Sequence, residues 1–361
     1  MKKMTALWKK LTPTSRTNTV TYTALIAAFI VLQILSSAGM LSRSFSGQLV
    51  PICVYISMAV SLNLVVGISG ELSLGHAGFM SVGAFSGVIA AACMANAVPS
   101  PVLRLILAML VGAVMAAIAG LIVGVPVLRL RGDYLAIVTL AFGEVIKTLL
   151  NDLYVGLDGK GLHFALTSAD GLKMENGVLL LNGPMGATGI KQLSSFAMGF
   201  VLVMLTLIVV LNIISSRHGR AIMATRDNRI AADSIGISVT HYKLMAFVIA
   251  AALAGMAGAL YAMNYSTVAA KKFDFNTSIL VLVFVVLGGM GNIRGSVIAA
   301  AILTILPELL RPIRDYRMLV YAIVLILVML ARNNEKLRLW VAARKENILS
   351  RFRKTAKKGG R

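Results

Sequence analysis

Three groups of polar residues interrupt an otherwise apolar chain, and their types limit the chemistry available to it. The first is segment 216–243, where Arg217, Arg220, Arg226, Arg229 and Lys243 face only Asp227 and Asp233. The second places Asn63, Glu71 and His76 among Gly67, Gly70, Gly75 and Gly78. The third runs Gly288-Gly289-Met290-Gly291-Asn292-Ile293-Arg294-Gly295-Ser296. Glycine-broken backbone beside a few ionisable groups suits holding a polar solute or docking a partner. It does not suit bond-making. No G-x-x-x-x-G-K-[ST] run is present to cradle ATP phosphates, and Gly289-Met290-Gly291 followed by Gly295 misses the dinucleotide spacing. No His/Cys cluster has metal-ligand spacing. The expectation is therefore a non-enzyme with no cofactor or metal of its own, and any transport energy must come from an ion gradient or another chain.

Segment 216–243 exceeds what a bare connector needs and has room for about two short helices. Residues 227–236 read as one of them. Asp227 can cap its start by accepting from free backbone N–H groups, and Gly236 can take the left-handed turn that ends it. Ile230, Ala231, Ser234 and Ile235 then share one face, which suits docking on a soluble partner. The same residues suit an interfacial helix among lipid headgroups or a plain solvated linker, and the loop alone does not separate these readings.

The glycine-rich junctions divide in the same way. Backbone that leaves helical geometry at membrane depth must line a cavity or be buried in protein, and broken helices offer N–H and C=O groups to polar solutes. Asn63, Glu71, His76 and Glu144 are costly there unless paired or facing water, so all four are candidates for a translocation path. A tight turn with close helix packing explains the first junction equally, and Glu144 and Lys147 have the spacing of an ordinary i,i+3 pair.

These groups must be positioned by membrane helices. The chain is 58% hydrophobic and 14% charged, with a mean hydropathy of +0.84. Its repeated apolar runs near 20 residues match a bilayer core. The net charge of +21 lies at the ends and in short loops rather than in a basic domain, which argues against nucleic acid. Cys53 and Cys93 lie in apolar runs and read as buried free thiols. Apolar length predicts an all-α, polytopic bundle of about ten spans, at residues 20–40, 49–67, 76–97, 102–128, 134–154, 195–215, 244–265, 279–287, 296–310 and 318–331. The first run is too long for a cleaved signal and reads as an uncleaved span. Both termini fall in the cytoplasm by the bias of Lys and Arg; of the ten cations left outside, the cluster Arg311, Arg314 and Arg317 fits least well and suits re-entrant last spans. The permease domain is then 1–331, with a cytoplasmic loop at 216–243 and a large outer loop at 155–192. A basic tail, 332–361, is drawn to an anionic membrane surface.

Residues 61–85, Leu128-Arg129-Leu130-Arg131-Gly132-Asp133-Tyr134-Leu135-Ala136-Ile137, 216–243 and 288–296 together resemble the permeases of branched-chain amino acid ABC importers, most closely the LivM-type subunit. The four blocks occur in the family's order between about residues 50 and 331. The resemblance implies a multi-pass subunit of the bacterial cytoplasmic (inner) membrane that imports leucine, isoleucine and valine. It also implies partners: a sister permease of the LivH type, two cytoplasmic ATPase subunits, an external solute-binding protein and the lipid bilayer. It makes 216–243 the loop that couples to an ATPase, with Arg220, Asp227, Ile230, Ala231, Ala232 and Gly236 as the coupling residues. Ala231, Ala232 and Gly236 match the importer A-A-x-x-x-G pattern, whereas Ile230 stands where many importers carry Glu. Some members of the wider family carry urea or short amides.

A different class, an ion-coupled transporter working alone, would need Glu71, His76 or Glu144 as its proton site. The long cytoplasmic loop and the family blocks favour the importer. One copy offers one coupling helix to an ATPase pair, so a similar permease must complete the assembly. Gly112, Ala116 and Gly120, at fourfold spacing, suit either that contact or packing within the subunit.

Overall fold

The computed structural model describes residues 13–40, 42–130, 132–159, 161–172, 174 and 177–310, with isolated positions between 319 and 330. It divides into two compact units, Met1–Thr304 and Ile305–Arg361. Eleven helices are described: α1 (Pro13–Ser37), α2 (Arg43–Asn63), α3 (His76–Cys93), α4 (Pro101–Val127), α5 (Asp133–Asn151), α6 (Phe196–Ser215), α7 (Arg217–Asp227), α8 (Arg229–Ser234), α9 (Val239–Ala262), α10 (Phe275–Gly288) and α11 (Ile293–Leu309). Their starts follow local chemistry. Pro101 opens α4, where its missing N–H costs nothing. Ser195 caps α6 by accepting from Met198 N at 3.3 Å, and Asp274 caps α10 by accepting from Thr277 N at 3.0 Å.

Among the described residues, six helical stretches are long and apolar enough to cross a bilayer: Thr19–Ser37, Ser44–Ser69, His76–Cys93, Pro101–Val127, Phe196–Ser215 and Val239–Ala262. The protein is therefore a polytopic helical membrane protein. Helix α5, which carries Asp133, Glu144 and Lys147, lies outside that set, as do α10 and α11 with 14 and 17 residues. The span expected at 318–331 is described only at isolated positions, and the tail 332–361 lies outside the described residues.

The core is α9 wedged against α3 and α4, and small residues allow the close approach. Gly83 faces the Gly255 backbone, and Gly112 faces Gly255 and Ala259. Ala116 is wholly buried, and Gly120 sits on Ala251. The Gly112/Ala116/Gly120 stripe therefore packs within the subunit, not against a second permease. Alternation of small residues lets backbones meet in this way whichever helix is opposite. The opposite side of α4 exposes Ile106, Leu110, Val114 and Ile122.

The segment expected as an outer loop, 155–192, departs from an all-α reading. It holds a three-stranded antiparallel sheet of order β2-β1-β3: β1 (Tyr154–Asp158), β2 (Gly161–Ala165) and β3 (Val178–Asn182). Asp158 Oδ1 accepts from Gly161 N at 3.1 Å and closes the β1–β2 turn. Paired bonds between Ala187 and Val268, at 2.9 and 3.0 Å, tie the loop to the chain beyond α9. Cys93 also differs from expectation: it ends α3 and is exposed, while Cys53 is buried.

Candidate functional site

Segment 216–243 folds into α7 and α8, two short helices in the space its length allows. Ser216 caps α7, accepting from Gly219 N at 3.2 Å, and Arg220 donates from Nη1 to Ser215 O at 3.3 Å, covering the end of α6. Helix α7 continues through Asp227, so Asp227 does not cap the next helix. Asn228 does, accepting from Ala231 N at 3.0 Å. Asp227 instead holds Arg226, whose Nε and Nη2 donate to its Oδ1 at 2.9 and 2.8 Å. Gly236 takes the expected left-handed turn, at φ +82°.

The surface of α8 is apolar and open. Ile230 is 80% and Ile235 75% exposed, and Ala231 and Ser234 lie open beside them. Ala232 does not join this face; it is buried against its own chain. A groove bounded by Asp227, Asn228, Arg229, Ile230, Asp233 and Ser234 lies alongside.

The first glycine-rich junction is a π-helical turn, Leu64–Ser69, continuing α2, followed by irregular backbone up to His76. Such turns concentrate at functional sites, because their widened ladder is less stable than an α-helix. Two bonds join the junction to the loop 216–243 and its exit. Arg226 Nη1 donates to Gly67 O at 3.0 Å, and Lys243, in α9, forms an ion pair with Glu71. Both side chains of that pair are 13% exposed.

The two glycine-rich junctions meet. Asn63, wholly buried, accepts from Gly291 N at 2.8 Å on Oδ1 and donates from Nδ2 to Ser296 Oγ at 2.7 Å and to Gly289 O at 3.4 Å. Gly67 lies so close that a Cβ there would collide with Asn63 Oδ1 and Gly291 N. His76 is buried with Nε2 2.8 Å from Ser61 Oγ. Thr139 of α5 accepts from Leu74 N at 3.0 Å, and Ser278 of α10 accepts from Ala77 N at 3.1 Å. Ser69 and Ser73 are the exceptions, with buried hydroxyls that have no partner among the described residues. Each such group costs about 1–3 kcal/mol, which a polar solute or water passing the break would relieve.

Asn63, Glu71 and His76 thus converge on one break, and each has a protein partner. Glu144 stands apart. It pairs with Lys147, the i,i+3 arrangement, and its Oε1 accepts from Phe275 N at 3.2 Å at the start of α10. Sequence reasoning missed Arg226 as the residue that reaches the break, although it is one of five cations in the loop. It also missed an aromatic cluster at the far end of α9, where Tyr261 lies 5.0 Å from Tyr265 and 6.3 Å from Tyr55 between ring centroids. These residues are scattered in sequence, and no periodic signal joins them.

Residues 44–329 match the family model described as "Branched-chain amino acid transport system / permease component". The chain is 36% identical over 293 residues to the "High-affinity branched-chain amino acid transport system permease protein LivM" of Escherichia coli (strain K12), covering 77% of this chain and 66% of that relative. The protein of the same name from Salmonella typhimurium is 36% identical over 301 residues, with the same coverage. A "Probable branched-chain amino acid transport permease protein LivM" of Methanocaldococcus jannaschii is 23% identical over 195 residues, covering 53% of this chain and 52% of its own. The chain thus spans just under two thirds of the length of the first two relatives, at 66%. No solved structure gives a significant match. With glycine-rich junctions that meet beneath a polar loop wired to them, and a match over most of its length, the chain belongs to the family of permease components of branched-chain amino acid transport systems.

Proposed function

We propose that this chain is a membrane-spanning permease subunit of an ABC importer for leucine, isoleucine and valine. The supporting observation is the wiring of the loop 216–243 to the helix break through Arg226 and Lys243. A partner pressing on the open face of α8 would move α7 and the start of α9, and both hold the break. The family and the printed names of the relatives support the substrate class. In this reading two cytoplasmic ATPase subunits supply the energy, one of them seated on α8, and a sister permease of the LivH type and an external solute-binding protein complete the importer. In this reading ATP is bound and hydrolysed by the ATPase subunits, and this chain needs no cofactor of its own. About ten crossings are read from apolar run length, cytoplasmic termini from the bias of Lys and Arg, and a bacterial inner membrane from the family.

An ion-coupled carrier is the weaker reading, because its three proton sites are engaged: Glu71 with Lys243, Glu144 with Lys147, and His76 with Ser61. Reconstitution separates the two. Proteoliposomes holding this chain with its sister permease, ATPases and loaded binding protein should accumulate leucine only with internal ATP. Accumulation by the chain alone under an ion gradient would overturn the importer reading.

A further inference from the structure

Helix α9 starts at the coupling loop and spans 24 residues, so its other end lies about 35 Å away. A cavity of about 440 Å³ opens there between Tyr261, Tyr265 and the segment Thr267–Lys272. That volume falls in the range of small-molecule pockets, about 300–1,000 Å³. Its lining has two chemical halves. One is apolar: the Tyr261 and Tyr265 rings and the buried side of Val268, backed by Tyr55 at 6.3 Å and Phe273 at 6.0 Å from Tyr261. The other is cationic. Lys271 and Lys272 sit on one 3-10 turn, Ala270–Lys272, held by the buried Ala270 and Phe273, so both lysines face outward.

Neither lysine has a carboxylate partner among the described residues. The nearby acid in sequence, Asp274, is occupied: Oδ1 accepts from Thr277 N and Oδ2 from Asn276 Nδ2. Two ammonium groups with no carboxylate at ion-pair distance among the described residues, beside an aromatic pocket, favour a ligand with an anionic end and an apolar body. Aromatic faces and phenol oxygens also attract a cation, which a simple anion does not carry.

We infer that this cavity is an entry subsite for a zwitterionic α-amino acid, with Lys271 and Lys272 meeting its carboxylate and the rings of Tyr261 and Tyr265 receiving its ammonium and aliphatic chain. The inference rests on the importer reading and extends it, by naming where this chain first holds the solute. The aromatic wall then leads inward, since Tyr55 also faces Phe284 of α10 at 6.1 Å.

The test uses saturation-transfer NMR on the purified complex without binding protein, with leucine and leucinamide as probes. Leucinamide keeps the ammonium and side chain but lacks the carboxylate. The wild-type complex should transfer saturation to the leucine methyl groups more strongly than to those of leucinamide. Lys271→Gln with Lys272→Gln should weaken leucine binding at least tenfold and erase the preference, and Tyr265→Ala should weaken both probes. Lys191→Gln, which removes an exposed charge outside the cavity lining, should change neither. An undiminished leucine signal in the double variant would overturn the subsite, as would an equal loss in Lys191→Gln. So would the absence of transfer from a wild-type complex that imports leucine. A wild-type complex that imports no leucine would overturn the importer reading itself.

Discussion

Arg226 donates to the carbonyl of Gly67 across 3.0 Å, joining residues 159 positions apart and fastening the loop 216–243 to a π-helical turn. Asp227 aims that guanidinium by accepting from its other two nitrogens. A hydrogen bond from a charged donor contributes about 1.5–3 kcal/mol. That is large enough to help hold the break in this arrangement and small enough for a docking partner to overcome.

The Glu71–Lys243 pair is mostly covered, so removing one partner leaves a poorly solvated charge. Glu71→Gln or Lys243→Met should each lower stability by about 1–3 kcal/mol. The double Glu71→Gln/Lys243→Met should cost clearly less than the sum. A double-mutant cycle from thermal unfolding in detergent checks this, and strict additivity would show that the two side chains do not interact.

Asn63 makes three hydrogen bonds to the second glycine-rich junction, none of which a leucine of similar size can replace. Asn63→Leu should destabilise the fold by about 2–4 kcal/mol, from orphaned buried partners. It should also make 288–296 exchange its amide protons faster. Hydrogen exchange read by mass spectrometry would show that segment protected as in wild type if Asn63 were not its clamp.

Two glycines separate close approach from backbone strain. Gly67→Ala should abolish transport, since the new methyl meets Asn63 and the Gly291 backbone rather than a flexible side chain. At Gly236 there is open space but φ is +82°, so Gly236→Val strains the end of α8 by about 1–3 kcal/mol and should reduce transport by disordering the coupling face. Uptake assays that rank Gly236→Val as more harmful than Gly67→Ala would reverse this reasoning.

Substitution on α8 should sort by direction. Ala231→Trp places bulk on the open face and should block ATPase seating with the fold intact. Ala232→Trp puts the same bulk into its own packing and should lower the melting temperature as well. Equal melting temperatures for the two would contradict the orientation of α8.

Much of this was legible in the sequence. Apolar length marked the six long spans, and the glycines marked both junctions, because a bilayer tolerates broken backbone only where something covers it. Gly236 was readable since few other residues take positive φ. The cap was misplaced by one residue: Asp227 and Asn228 can both accept from a helix start, and only the run of α7 through Asp227 decides between them. The Gly112/Ala116/Gly120 stripe reads the same for any close neighbour. The short strands went unseen although Asp158-Gly159 and Gly161 mark a hairpin turn. The bonds of Asn63 to Ser296 and of Arg226 to Gly67 cross 233 and 159 positions, distances over which local pattern carries no information.

The most direct test is the ratio of substrate-stimulated to basal ATPase activity, with leucine uptake, in proteoliposomes of the full complex carrying Arg226→Gln. Glutamine cannot bridge Gly67 and Asp227 together. Stimulation should fall to a ratio near one and uptake by about tenfold, the rate equivalent of about 1.4 kcal/mol, while the complex still assembles. Stimulation and uptake at wild-type levels would contradict the claim that this chain transmits ATPase motion to the helix break through Arg226.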